Sequence, residues 1–183
     1  MKVKSRLLLA VVAGMLAAST VGVAAQESES GASFFEATVT SSGPPTESQP
    51  GDSGPGWEGY VGVADADIAV DAGDPRASGL LDQVRNGTDF VLSDGALNIE
   101  RAAVRLINDQ GSWDGEGTIT LRNDQGPPSH IAVQWRFEGE GAYEGLVLEL
   151  HNSGLDEQME PIVWGVIYPA EAVPPAPEAI AAD

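Results

Sequence analysis

The chain has 183 residues, with 28 acidic side chains against nine basic ones, a formal net charge of −19 and no cysteine. An anionic surface of this kind repels nucleic acid and anionic lipid. The absence of thiols excludes disulfides, cysteine nucleophiles and cysteine-ligated metals.

Residues 1–25 read as a secretory signal peptide. Lys2, Lys4 and Arg6 form a basic start, an apolar run extends from Leu7 to about Leu16, and Val23-Ala24-Ala25 supplies the small residues of a cleavage site. Gly14 and Ser19-Thr20 interrupt the run before it reaches the roughly 20 apolar residues of a membrane span. Cleavage is expected before Gln26, which predicts a protein secreted to the extracellular space. The leader holds three of the nine basic residues and no acid, so its loss takes the net charge from −19 to −22. No lysine remains in the mature chain.

Residues 26–33 lack apolar density and read as a flexible N-terminal tail, and residues 170–183, rich in Pro, Ala and Glu, as a disordered C-terminal one. Between them, residues 34–169 are expected to form a single all-β domain. Phe35, Ala37 and Val39 alternate with polar neighbours and predict a first strand. A flexible loop at 41–56, filled with Ser, Gly, Pro and Thr, follows it. Further strands are predicted near Glu58 to Val63, Asp67 to Asp71, Leu80 to Arg85, Asp89 to Leu92 and Gly111 to Arg122. Ile131, Val133, Trp135 and Phe137 share one face of the clearest strand. Leu146, Leu148 and Leu150 mark the next, and Ile162, Trp164, Val166 and Tyr168 the last. Trp135, Phe137, Leu146, Leu148 and Trp164 are expected in one core, with Gln134, Arg136 and Glu149 exposed.

The segment Ala96 to Asn108 supports two readings. Asp94 could cap a helix with Ile99, Ala103, Leu106 and Ile107 as its stripe. Alternatively, Leu97 and Ile99 alternate in one phase and Val104 and Leu106 in the other, the pattern of a strand with a β-bulge near Arg101 to Ala103. Strand is the reading consistent with its β surroundings.

Two repeats punctuate the chain. Asn-Asp-Gln-Gly occurs at Asn108 to Gly111 and at Asn123 to Gly126, where Asn, Asp and Gly chemistry predicts hairpin turns. Gly111-Ser112-Trp113-Asp114-Gly115 matches Gly141-Ala142-Tyr143-Glu144-Gly145. Strand alternation would place Gly111, Trp113, Gly115 and Gly117 on one face, and Gly139, Gly141, Tyr143 and Gly145 on another. Glycines beside an aromatic let a sheet coil and let a ring lie over bare backbone. Ile119 and Leu121 continue the Trp113 face, so that face is expected inside an antiparallel meander closing into a small barrel of about eight strands.

At these residues the chain resembles a family of uncharacterised secreted bacterial β proteins. The resemblance is carried by Asp74-Pro75-Arg76-Ala77-Ser78-Gly79, Gly111 to Gly115, Gly139 to Leu146, and Gly165-Val166-Ile167-Tyr168-Pro169. The Gly-x-Gly-x-aromatic-x-Gly hairpin is also similar to one in allene oxide cyclase-like and dirigent-like proteins. That second resemblance implies an eight-stranded barrel with an apolar cavity and carries over no catalytic residue.

No nucleophile elbow, phosphate loop or dinucleotide fingerprint is present. The catalytic residues are therefore unassigned, no cofactor is expected, and two histidines, His130 and His151, do not compose a zinc site. Asp65, Asp67, Asp71 and Asp74 are read as a solvated face, with weak calcium binding as the alternative. The expected function is a non-catalytic barrel binding a small apolar ligand, with Trp113, Gly115, Gly117 and Tyr143 as its ligand-binding residues, or a surface partner. An isomerase or cyclase working inside the barrel and a purely structural envelope module are the competing readings.

Overall fold

The computed structural model describes residues 26–27, 31–40, 44–123, 128–154 and 162–173. The predicted leader, the second Asn-Asp-Gln-Gly turn beyond Asn123 and the C-terminal tail from residue 174 lie outside them. Among the described residues, every regular element longer than one turn is a strand. In chain order these are β1 (Gln26–Glu27), β2 (Ser33–Thr40), β3 (Gln49–Gly54), β4 (Trp57–Ala72), β5 (Gly79–Val91), β6 (Ala96–Ile107), β7 (Gly111–Asn123), β8 (Pro128–Gly141), β9 (Leu146–Gly154) and β10 (Ile162–Pro169). Single 3-10 turns lie at Pro75–Ala77 and Ala170–Ala172.

Neighbouring strands from β4 to β10 pair antiparallel in sequence order, as a meander. Strand β2 closes it by changing partners along its length. Ser33 to Ala37 pair with β10, and Ala37 to Thr40 pair with β4. Eight strands thus form a ring, which leaves only the short β1 and β3 as outer additions. Part of the stretch read as a loop is therefore ordered: β3 lies against Trp57 to Val61. Gln26 and Glu27 pair with Phe34 and Ser33, which ties the N-terminal segment to the sheet.

Two pairs of predicted strands merge. Strand β4 runs unbroken through 16 residues because one extra residue is absorbed between Tyr60 and Val63 and another between Asp65 and Ile68. These bulges keep Tyr60, Val63, Ile68 and Val70 all buried despite their uneven spacing. Strand β6, by contrast, pairs with both neighbours without any register shift. The bulge expected near Arg101 to Ala103 is absent. The inward residues are Asn98, Glu100, Ala102, Val104 and Leu106, so two polar side chains occupy interior positions and Leu97 and Ile99 face outward.

The interior is layered by register. One layer runs Val63, Arg85, Ala102, Gly117, Trp135, Leu150, Gly165 and Phe35 around the ring. Its large rings sit beside glycines: a Cβ on Gly117 would strike the Trp135 indole, and one on Gly165 would strike the Phe35 ring. The bare backbone makes room for an aromatic side chain from the next strand. Strand β10 departs from its expected phase, because Val163, Gly165 and Ile167 face inward. Trp164 therefore lies on the outer surface, stacked between His151 at 4.0 Å and Phe34 at 5.8 Å, and is not part of the core.

Candidate functional site

The two ends of the ring differ in chemistry. At the end holding the β6–β7 and β8–β9 turns, Trp113 is fully buried and stacks on Tyr143 with centroids 4.7 Å apart and planes 13° from parallel. The two aromatics of the repeated motif thus meet, although their backbones differ. Trp113 lies near the start of strand β7, whereas Tyr143 lies in a turn whose flanking Gly141 and Gly145 take φ of 65° and 82°. The single face expected for Gly139 to Gly145 is replaced by this turn. The Trp113 Nε1 donates to the Arg76 carbonyl at 2.8 Å, and the Tyr143 hydroxyl donates to Asn108 Oδ1 at 2.8 Å. The first Asn-Asp-Gln-Gly turn forms as expected, with Asn108 Oδ1 also accepting from the backbone of Gln110 and Gly111.

Beneath this seal, Asp74 accepts from Ser33 Oγ at 2.7 Å and from the Arg76 guanidinium at 2.6 Å. Burial opposes the charge of Asp74, but the hydrogen bonds from Arg76 and Ser33 outweigh it and hold its carboxyl below the ordinary range. The other candidate residues lie further along β7. Gly115 is crossed closely by the backbone of Arg136 and Phe137, and the space over Gly117 is taken by Trp135. Tyr143 lies on the Trp113 ring where an apolar ligand was expected.

The other half of the interior is divided lengthwise. On β7, β8 and β10 it presents Ile119, Leu121, Val133 and Val163, all buried. On β4, β5 and β6 it presents a polar wall. Arg85, 5% exposed, donates from Nε to Asp65 at 2.8 Å and from Nη1 to Glu100 at 2.7 Å. Gln83 Nε2 donates to the same Asp65 oxygen at 3.0 Å. Tyr60 donates a short hydrogen bond to the second oxygen of Glu100 and accepts one from Asn98 Nδ2 at 2.8 Å. Asn98 Nδ2 also reaches Asp89 at 2.8 Å. Room for the Tyr60 ring comes from Gly87, directly opposite it on β5.

Electrostatically the wall is settled. Burial works against the Arg85 charge, yet Glu100 and Asp65 more than compensate and raise its affinity for the proton. Burial, reinforced by the Glu100 carboxylate, drives the Tyr60 hydroxyl far above its ordinary value. Tyr60 therefore stays neutral across the physiological range. Both Glu100 oxygens are engaged by donors, one by Tyr60 and one by Arg85. The phenol beside Glu100 has already committed its proton to that carboxylate.

Some polar atoms of this interior remain without a partner. Gln83 Oε1, Asn98 Oδ1 and Trp135 Nε1 are buried and make no hydrogen bond. Their residues are 8%, 6% and 5% exposed. Leaving such atoms unmatched costs about 1–3 kcal/mol each, so native interiors seldom do so without a reason.

Sequence reasoning missed this wall because its residues are scattered over three strands. Asn98 and Glu100 carried the available signal, the apparent phase change in β6. The aspartate cluster does not assemble: Asp65 turns inward to Arg85, Asp71 is exposed and Asp74 caps a 3-10 turn. The side chain of Asp67 lies outside the described set. Among the described residues no group of three or more His, Asp or Glu side chains is placed to hold a metal ion, and no helix is long and apolar enough to cross a membrane. Comparison with protein-family models, with curated proteins and with solved structures finds no match for the chain.

Proposed function

We propose that the protein is a non-catalytic, exported ring that binds one small amphipathic molecule in the polar-walled half of its interior. The observation that carries this reading is the pairing of a buried polar wall on β4 to β6 with a buried apolar wall on β7, β8 and β10, with hydrogen-bonding atoms left unmatched inside. An eight-stranded ring has an interior suited to side chains or one small ligand. The polar wall changes the expected ligand from a purely apolar one to a molecule with an apolar body and a polar end.

Both Glu100 oxygens are taken by donors and the Tyr60 hydroxyl holds its proton far above neutral pH, which supports binding over acid–base chemistry. Export rests on the tripartite leader. Kinship with allene oxide cyclase-like barrels is supported by the strand count of the ring alone and brings no residue role with it.

The test is displacement of an environment-sensitive apolar dye from the native protein by eight-carbon amphiphiles, followed together with tryptophan emission. Saturable displacement at micromolar to millimolar concentration is expected. If no amphiphile of any head group displaces the dye or changes the emission, the binding reading is refuted.

A further inference from the structure

We infer that the outer face of β5 and β6 is an interaction surface for a second copy of this chain, packed across a two-fold axis that runs along the two strands. Leu80, Val84, Ile99 and Ile107, 41% to 51% exposed, are four of the eight exposed large apolar side chains among the described residues, and all four point outward from this one strand pair. Arg101 and Arg105 share that face, and the aliphatic stem of an arginine is itself apolar. The outward positions of β7 and β8 instead carry Asp114, Glu116, Arg136 and Glu138. Apolar side chains scattered singly over a surface need no explanation, whereas a set gathered on one face marks a place of contact.

Charge and register select a second copy as the occupant. The chain has a formal net charge of −19, so two copies repel each other over most of their surfaces. At the outward positions from Leu80 to Thr88 and from Ile99 to Ile107, however, two arginines stand against one aspartate, Asp82. This is where two copies can approach with the least repulsion. Across the strand pair Leu80 neighbours Ile107, Asp82 neighbours Arg105 and Val84 neighbours Ala103. A two-fold axis parallel to the strands and between them lays β5 of one copy over β6 of the other, so the same pairs recur between copies. Leu80 then meets Ile107, Asp82 meets Arg105, and Val84 enters the dip over Ala103. An axis across the strands at Val84 would instead set Arg101 of one copy over Arg105 of the other. The stripe is two strands wide on a convex ring, so the dimer is small in area, weak and reversible.

The experiment is sedimentation velocity of the native protein between about 10 μM and 1 mM, with salt at about 0.5 M to screen the net repulsion. A reversible monomer–dimer equilibrium is expected. Val84→Glu should weaken it about tenfold or more by burying an unpaired charge, while Gln134→Glu, the same change of charge on the outward face of β8, should leave it unchanged. Asp82→Arg and Arg105→Asp, each confirmed as folded by circular dichroism, should each lose self-association, because like charges then face each other across the axis. An equimolar mixture of these two variants should recover it. A protein that stays monomeric over the whole concentration range overturns the inference and leaves the face to a different partner. A dimer indifferent to Val84→Glu, or charge variants whose mixture fails to associate, overturns it as well.

Discussion

Replacing Arg85 by Met tests whether the polar wall is an electrostatic unit. The substitution keeps an unbranched apolar stem and removes the positive charge that lies between Asp65 and Glu100, whose side chains are 11% and 3% exposed. Two carboxylates would then be buried without a counter-charge, and Gln83 Nε2 and the Tyr60 hydroxyl would be the remaining donors to them. Breaking a buried pair from one side typically costs about 3–5 kcal/mol. For a domain of this size that corresponds to a fall in Tm of roughly 10–15 °C. Adding Asp65→Asn and Glu100→Gln to Arg85→Met should recover most of the stability, since the ionic partners are then removed together. Thermal melts followed by circular dichroism at pH 7 make the comparison. If Arg85→Met melts with the wild-type protein at pH 7, Arg85 is not enclosed between the two acids and the inward assignment of β5 fails.

Gly115→Ala should prevent folding or cost more than twice as much as Gly145→Ala, because a Cβ at Gly115 would lie 2.8 Å from the Phe137 Cα, whereas at Gly145 it meets nothing. Gly145→Ala carries only the penalty of its positive φ, about 1–2 kcal/mol, and urea midpoints separate the two. On the alkaline side, the Tyr60 proton is held more tightly in the folded state than in the unfolded chain. Its contribution is therefore full below about pH 10 and declines as pH rises above it. Burial and Glu149 shift Tyr168 the same way, so the diagnostic result is a shallower alkaline decline in Tyr60→Phe than in wild type. Trp135→Ala should cost about 3–5 kcal/mol as a buried aromatic, while Trp164→Ala on the outer face should cost clearly less, a ranking readable from chemical denaturation.

The all-β class, the meander and the ring of about eight strands were legible because most interior positions are apolar and alternate strictly. Ile131, Val133, Trp135 and Phe137 on β8 fix a phase that leaves no second reading. The aromatic-glycine motif was legible as a curvature device but not as a contact. That Trp113 and Tyr143 would stack on each other, one from a strand and one from a turn, depends on how β7 and β8 bring Gly111 opposite Gly141. On β10 the alternation of Ile162, Trp164, Val166 and Tyr168 pointed to the opposite phase from the one observed. Gly165 is the inward residue there, and the ring that fills its place, Phe35, comes from a strand about 130 positions earlier in the chain.

Strand β6 shows why the candidate site stayed hidden. A rule that assigns apolar residues inward sees Leu97 and Ile99 in one phase and Val104 and Leu106 in the other, and it must insert a bulge to reconcile them. The observed pairing is continuous, so the assumption at fault is the apolar interior itself. A polar residue is tolerated inside only when partners on other strands satisfy it. For Glu100 these are Arg85 on β5 and Tyr60 on β4, 15 and 40 residues away. Such long-range partners leave no local periodicity to read. A phase reversal in a strand whose neighbours contain an unpaired Arg, Tyr or Gln at inward parity is thus as much a sign of an interior polar site as of a bulge. On β4 the reverse holds: two real bulges at Val61-Gly62 and Ala66-Asp67 preserve the inward set, and they are what bring Tyr60 and Asp65 to the same wall as Arg85.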